Sequence, residues 1–446
     1  MRSALLLGTI PLLFYTSTPV EEAASFAPVE NSFPLHWKTQ MGNVTFRSNF
    51  ILTPNEIIIG SNGENYMDYQ LSDKKSGVYV LNRKNGNIIK HFGNEVIGDM
   101  DVTGLVQFNN RIYYGNDNEE VVCATKAGKE IWIKPASGDI EHEPALIYHQ
   151  QKPMIVYATE TGEVRAVKPD NGNTIWQFFT PDFEGWKPGD NRAAFKVKSY
   201  LTNTYAFFTK PVISDLNGDG TDDLIYSTRA GDLYAINGAN GRLLWKRNDI
   251  SVYAVYKIPD AKNLFACVGT PKNNAGSINY LFKINNKGQN GELEKIDEGY
   301  FGQISAYFSE KELLLNSSEY VYFFKDFKKI DSIDRRVIMK KNDPWDYPAE
   351  ENRNYPDILF SNISFNYKQH GKCIIGLVQN DRKDYKQGFI EIISLTNKQI
   401  IERFSLPESS EMNPWIEDIN KDGKLDLLVN CRDGNLYCYD LGVKER

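Results

Sequence analysis

The sequence predicts an all-β protein: an eight-bladed β-propeller of four-stranded antiparallel blades in a single ring. Three observations predict it. Residues 231–246 (GDLYAINGANGRLLWK) and 162–177 (GEVRAVKPDNGNTIWQ) share a glycine, alternating apolar residues, an Asn-Gly pair, two apolar residues and a tryptophan. Weaker copies start at Ser76, Glu120 and Gly388 and fainter ones at Ile278, Glu319 and Gly434, so the period is about 41–47 residues with two spacings of about 69. The composition agrees, because 25 Tyr and 24 Phe suit pleated strands while 33 Gly supply turns in a chain of 446 residues.

The elements follow in chain order. Arg2, the apolar run from Leu5 to Tyr15 and the small residues Ala23-Ala24-Ser25 read as an export signal over residues 1–24, which leaves one propeller domain over 25–446. Leu35-His36-Trp37-Lys38 is similar to Leu244-Trp245-Lys246, and the last copy stops at Gly442–Arg446 before its own outer strand. The N-terminal strand is therefore expected to complete the eighth blade and close the ring, which removes an exposed sheet edge. Within each copy, two strands meet at a tight turn, as at Asn85-Gly86, Asn171-Gly172 and Asn240-Gly241, where Asn and Gly tolerate positive φ. Two further runs precede each copy, as in Pro211–Ser214 and Asp223–Thr228, to make four strands. Trp37, Trp132, Trp176 and Trp245 hold the same outer-strand position and are expected to pack between blades. The two long spacings mark insertions at about 180–204 and 334–355. Cys123, Cys267, Cys373, Cys431 and Cys438 are odd in number and scattered, which points to buried, unpaired thiols.

Composition also excludes function classes. With 41% hydrophobic and 24% charged residues the composition excludes wholesale disorder, and a net charge of −7 argues against a nucleic-acid surface. No interior apolar run approaches the roughly 20 residues of a membrane-spanning helix, so no transmembrane segment is expected in the mature chain.

The repeated segments resemble the pyrroloquinoline-quinone-like repeat family, whose eight-bladed members include quinoprotein dehydrogenases and the propeller that assists outer-membrane protein assembly in bacteria. The resemblance implies a fold more sharply than a function. A dehydrogenase of this family would need the quinone cofactor between a Trp and, often, a vicinal disulfide, with Ca²⁺ and an Asp base. The chain has no adjacent cysteines and no such set of ligands, so the quinone is not expected.

Two short segments carry a metal-type pattern. Asp215, Asn217, Asp219 and Asp223, and again Asp418, Asn420, Asp422 and Asp426, occupy positions 1, 3, 5 and 9 of a loop with glycine at position 6. Hard oxygen ligands at that spacing suit Ca²⁺, and the glycine permits the sharp turn. Both loops run into strands, so they resemble FG-GAP or VCBS repeats, in which the ion pins the first hairpin of a blade. The expected cofactor is a structural Ca²⁺.

Polar residues collect where outer strands connect to the next inner strand. Arg47, Asp99, Asp101, Glu141, His142, Glu143 and Lys210 fall there, and Trp186 lies in the first insertion. Inner-strand starts are commonly small or apolar, so this group is a candidate ligand-binding face. His142 between two glutamates is compatible with a metal ligand, a general base or a structural hydrogen bond. The chain shows no nucleophile elbow, phosphate loop or HExxH pattern. The reading that results is an exported, monomeric, non-catalytic propeller of the periplasm or cell exterior, binding a protein or glycan as a scaffold or envelope-assembly factor. A calcium-containing polysaccharide lyase or hydrolase is the alternative; it requires Arg47, Lys210, His142 and the acidic residues to converge in an open cleft.

Overall fold

The computed structural model describes residues 33–64, 74–93, 100–180, 206–207, 209–259, 261, 263–272, 278–297, 305–309, 312–317, 320–335, 358–378 and 388–444. The described elements are β-strands and one 3-10 turn, Lys368–His370. They form eight antiparallel sheets, one per blade. Blade one runs Phe50–Leu52, Glu56–Asn62, Ser76–Asn82 and Ile88–Phe92; blade three runs Ala145–His149, Lys152–Ala158, Glu163–Val167 and Thr174–Phe179. Blade four runs Val212–Ser214, Asp223–Ser227, Leu233–Ile236 and Leu243–Arg247. In blade seven the inner strand is split into Ile358–Phe360 and Phe365–Asn366, both paired with Lys372–Val378, so that sheet has five strands.

Closure takes the form expected from the sequence. The last blade consists of Trp415–Glu417, Lys424–Asn430 and Asn435–Lys444, and its outer strand is Leu35–Gln40 from the other end of the chain. The core confirms the ring. Eight clusters of buried apolar side chains each span one interface between neighbouring blades. One of them packs Trp37, Leu428 and Leu436 of blade eight on Ile57 and Ile59 of blade one. An open array would lack that interface.

Second and third strands are buried on both faces, as in Ile57, Ile58 and Ile59 or Val78, Tyr79 and Val80. This explains their near-continuous apolar runs. Outer strands alternate, because one face packs on the next blade and the other meets solvent. The tryptophans sit where the sequence put them. Each lies over the turn glycine of the following blade: Trp37 on Gly86, Trp132 on Gly172, Trp176 on Gly241 and Trp245 on Gly288. Trp132, Trp176 and Trp245 donate their indole N–H to the carbonyls of Pro169, Gly238 and Asn286 in those turns, at 2.8–2.9 Å. All five cysteines are buried and unpaired.

Candidate functional site

Strand direction sorts the connections between two faces of the ring. The calcium-like loops join first to second strands and the Asn-Gly turns join third to fourth, so both lie on one face. The links from an outer strand to the next blade lie on the other; residues 181–205 and 336–357, within two of these links, lie outside the described residues. Trp186 falls in the first of these and Asp99 in the link between blades one and two; both lie outside the described residues. Most of the two insertions does too, only Thr180, Asp334 and Arg335 being described.

Four of the charged residues read from the sequence are brought together across blades, in two pairs. Arg47, leading into blade one, places Nη1 2.5 Å from Glu141 Oε2, leading into blade three. The guanidinium also lies over the Phe46 ring, 5.3 Å from its centroid. Lys210, leading into blade four, places Nζ 3.1 Å from Glu143 Oε1. The connections are held by amide side chains. Asn49 exchanges two 2.8 Å hydrogen bonds with the backbone of Leu105, and Asn413 donates to the Phe46 carbonyl at 2.6 Å. Inner strands also approach closely: a Cβ on Gly104 would lie 2.2 Å from the backbone nitrogen of Glu143. Asp101 is half-buried on the same face.

His142 does not share that exposure. It is 1% exposed, donates from Nδ1 to the carbonyl of Glu143 at 2.9 Å, and has its ring centroid 5.9 Å from that of Tyr226. Its Nε2 is buried without a hydrogen-bond partner. Burial lowers its pKa to about 4, with smaller contributions in the same direction from Arg47 and Lys210. The neutral imidazole is thus a packed element beneath the charged rim.

The two acidic loops are alike in backbone. In the first, Asp215 accepts the amides of Gly218 and Gly220, Asn217 accepts that of Asp219, and Asp219 accepts that of Thr221. Asp223 is wholly buried and accepts the amides of Leu216 and Gly238, both at 2.9 Å. Burial pushes the Asp223 carboxyl up against those bonds. Burial acts the same way on Asp219, but hydrogen bonds from Asn217, Asn237 and Thr221 outweigh it and hold that carboxyl below its usual range. In the second loop Asp418 accepts the amides of Asp422 and Gly423, and Asp422 that of Lys424. There Asp426 accepts the amides of Ile419 and Asn420 through one oxygen only. Its other oxygen faces His36 of the closing strand at 3.0 Å, beside Asp440. Sequence reasoning did not single out His36 or Asp440. The available signal was His36 itself, a polar residue directly before Trp37 where the clearest copies have Ile175 and Leu244.

These features define a closed eight-bladed propeller with charge pairs around one face and acidic hairpin loops on the other. A family model described as "Outer membrane protein assembly factor BamB" matches residues 74–248. With the repeat geometry, the match supports a propeller of the pyrroloquinoline-quinone-like type. No curated protein matches the chain. Among solved structures it is similar to BamB from Moraxella catarrhalis, at 12% identity and a TM-score of 0.54, over 91% of this chain and 100% of that one. It is also similar to Sqt1 from Saccharomyces cerevisiae, at 9% identity and a TM-score of 0.60, over 92% of this chain and 100% of that one. The Dos1 propeller aligns at 12% identity and a TM-score of 0.58, over 92% of this chain and 96% of that one. At these identities the likeness is one of fold.

Proposed function

We infer that this chain is an exported, non-catalytic scaffold propeller that docks a protein partner in the periplasm, on the face where outer strands link to the next blade and which carries Arg47, Glu141, Glu143 and Lys210. The observation that carries this reading is the family match over residues 74–248, whose description is that of an outer-membrane assembly factor. The charged rim supports it. Arg47 is engaged with Glu141, Lys210 with Glu143, and His142 is buried beneath them. The lyase alternative needs these groups to converge on a substrate, whereas here they pair with each other. Among the described residues no helix is long and apolar enough to cross a membrane. A partner would approach through the rim of connections, where Lys210, 68% exposed, is an accessible cation.

Site-specific cross-linking tests the reading. A photoreactive residue replacing Lys210 is expected to capture a discrete envelope protein in living cells, while one replacing Lys84, on the opposite face, does not. Equal capture from both positions, or from neither, would count against the assignment of the face. Release of ultraviolet-absorbing unsaturated products from a polysaccharide panel, abolished by Lys210→Ala, would replace the scaffold reading with the lyase.

The first acidic loop is the proposed calcium site. Its donors are all oxygens, Asn217 and Asp219 are exposed, and Asp219 is held in its charged form. That chemistry fits a hard divalent cation. Asp215, Asn217, Asp219 and Asp223 would hold the ion, which would brace the first hairpin of blade four.

A further inference from the structure

Blade eight departs from six other blades at one outer-strand position, where they carry an aliphatic residue. The outer strand meets the third strand through a one-residue bulge. The bulged residue is Ile89 in blade one, Ile131 in two, Ile175 in three, Leu244 in four, Ile330 in six and Ile401 in seven. In blade eight it is His36, skipped between the pairs Leu35–Tyr439 and Trp37–Cys438. A bulge re-aims the side chain it carries, and this one aims an imidazole at the second acidic loop.

A second substitution accompanies it. Asp440 follows Tyr439 in register as Asn237 follows Ile236 in blade four. In blade four the Asn237 amide donates to Asp219 at 2.9 Å. In blade eight Asp440 stands directly opposite Asp426 in the ladder. Like charges facing each other across a strand pair are destabilising. Lys424 Nζ, 3.1 Å from Asp440 Oδ2, offsets part of this from the solvent side.

The hydrogen bonding at Asp426 is incomplete in a way that points to a cation. Its side chain is wholly buried, and Oδ1 has no hydrogen-bond donor. That oxygen faces His36 Nε2 at 3.0 Å. The same nitrogen lies 3.0 Å from Asn420 Nδ2. Asn420 cannot turn its amide over, because its Oδ1 accepts the Asp422 amide at 2.9 Å. An imidazole Nε2 carries either a lone pair or a proton along its single in-plane direction. When Nε2 carries no proton, its lone pair and the Asp426 oxygen are two acceptors 3.0 Å apart. A positive ion between them satisfies both. One ligand atom from each of His36, Asp426 and Asp440 already lies within 4.8 Å of the other two.

We propose that His36 Nε2, Asp426 Oδ1 and a carboxylate oxygen of Asp440 bind a divalent transition-metal ion of the zinc class, which clasps the N-terminal strand to the last two strands of the chain. One imidazole with two carboxylates favours Zn²⁺ or Co²⁺ over Ca²⁺, because the nitrogen donor suits a borderline rather than a hard cation. The two acidic loops, alike in sequence, therefore serve different ions. The site joins segments at opposite ends of the sequence, so the metal acts on ring closure.

The test is titration of the chelator-treated full chain with Co²⁺ as a spectroscopic probe and Zn²⁺ as competitor. One equivalent of Co²⁺ is expected to give visible d–d bands that Zn²⁺ abolishes and that equimolar Ca²⁺ leaves in place. His36→Leu and Asp440→Asn install the residues that blade four carries, so the fold should tolerate both. Each should weaken Co²⁺ binding roughly 100-fold or more, by analogy with losses on removing supporting groups in metal sites. Absence of binding in the wild-type chain, unchanged binding in His36→Leu, or displacement by equimolar Ca²⁺ would each overturn the proposal.

Discussion

The indole of Trp176 in blade three lies flat over Gly241 in the turn of blade four, and a Cβ on that glycine would stand 2.6 Å from the ring. The same indole donates to the carbonyl of Gly238 at 2.8 Å. One residue thereby packs the interface and satisfies a turn carbonyl. Gly241 has φ +72°, a conformation that also disfavours a side chain.

Gly241→Ala should destabilise the ring by about 2 kcal/mol, from backbone strain and overpacking together. Trp176→Ala should cost about 3–5 kcal/mol. The double variant is expected to lose less than the sum, because removing the indole relieves the clash and leaves only the strain at φ. Denaturant unfolding of the four proteins measures the coupling, and strict additivity would refute this account of the interface.

His142 makes stability depend on pH. Burial lowers its folded-state pKa to about 4 from the ordinary value of 6.5, so the unfolded chain binds more protons between those values. Stability from this group is complete above about pH 6.5 and is lost as pH falls towards 4, by on the order of 3 kcal/mol. Melting temperature followed from pH 7 to 4 should fall less steeply in His142→Phe than in the wild type. Parallel curves would show that other groups control the acid limb.

The pair formed by Arg47 and Glu141 links blades one and three across the mouth of the ring. Their side chains are 24% and 20% exposed, so solvent screens the attraction and the coupling should be about 1 kcal/mol. A double-mutant cycle with Arg47→Met and Glu141→Gln measures it, and 1 M salt should reduce it. Lys210→Met, at a far more exposed position, should change stability by less than about 0.5 kcal/mol. A larger loss there would mean that the Lys210 ion pair with Glu143 is structural.

Calcium should act on the first acidic loop. Adding Ca²⁺ after chelation is expected to raise the melting temperature and to release or absorb heat in a titration, and Asp219→Asn should remove both responses. Neither heat nor a thermal shift in the wild type would defeat the calcium assignment.

The sequence by itself determined the repeat and the closure. Asn-Gly turns, alternating strands and a tryptophan at fixed spacing are local patterns, written out again in each blade, and the unmatched Leu35–Lys38 segment revealed which end completes the ring. Blade seven's split inner strand escaped this reading: its two pieces, Ile358–Phe360 and Phe365–Asn366, flank the short segment Ser361–Ser364, which by itself reads as an ordinary turn. Partnerships needed the tertiary structure. Arg47 meets Glu141 across a separation of 94 residues, and His142 is buried although glutamates flank it in sequence. His36 meets Asp426 only because the ring closes and a bulge turns its side chain inward. A repeat specifies its own strands through short-range turn and pleat geometry, whereas a polar side chain finds its partner through whichever blades the closed ring brings together.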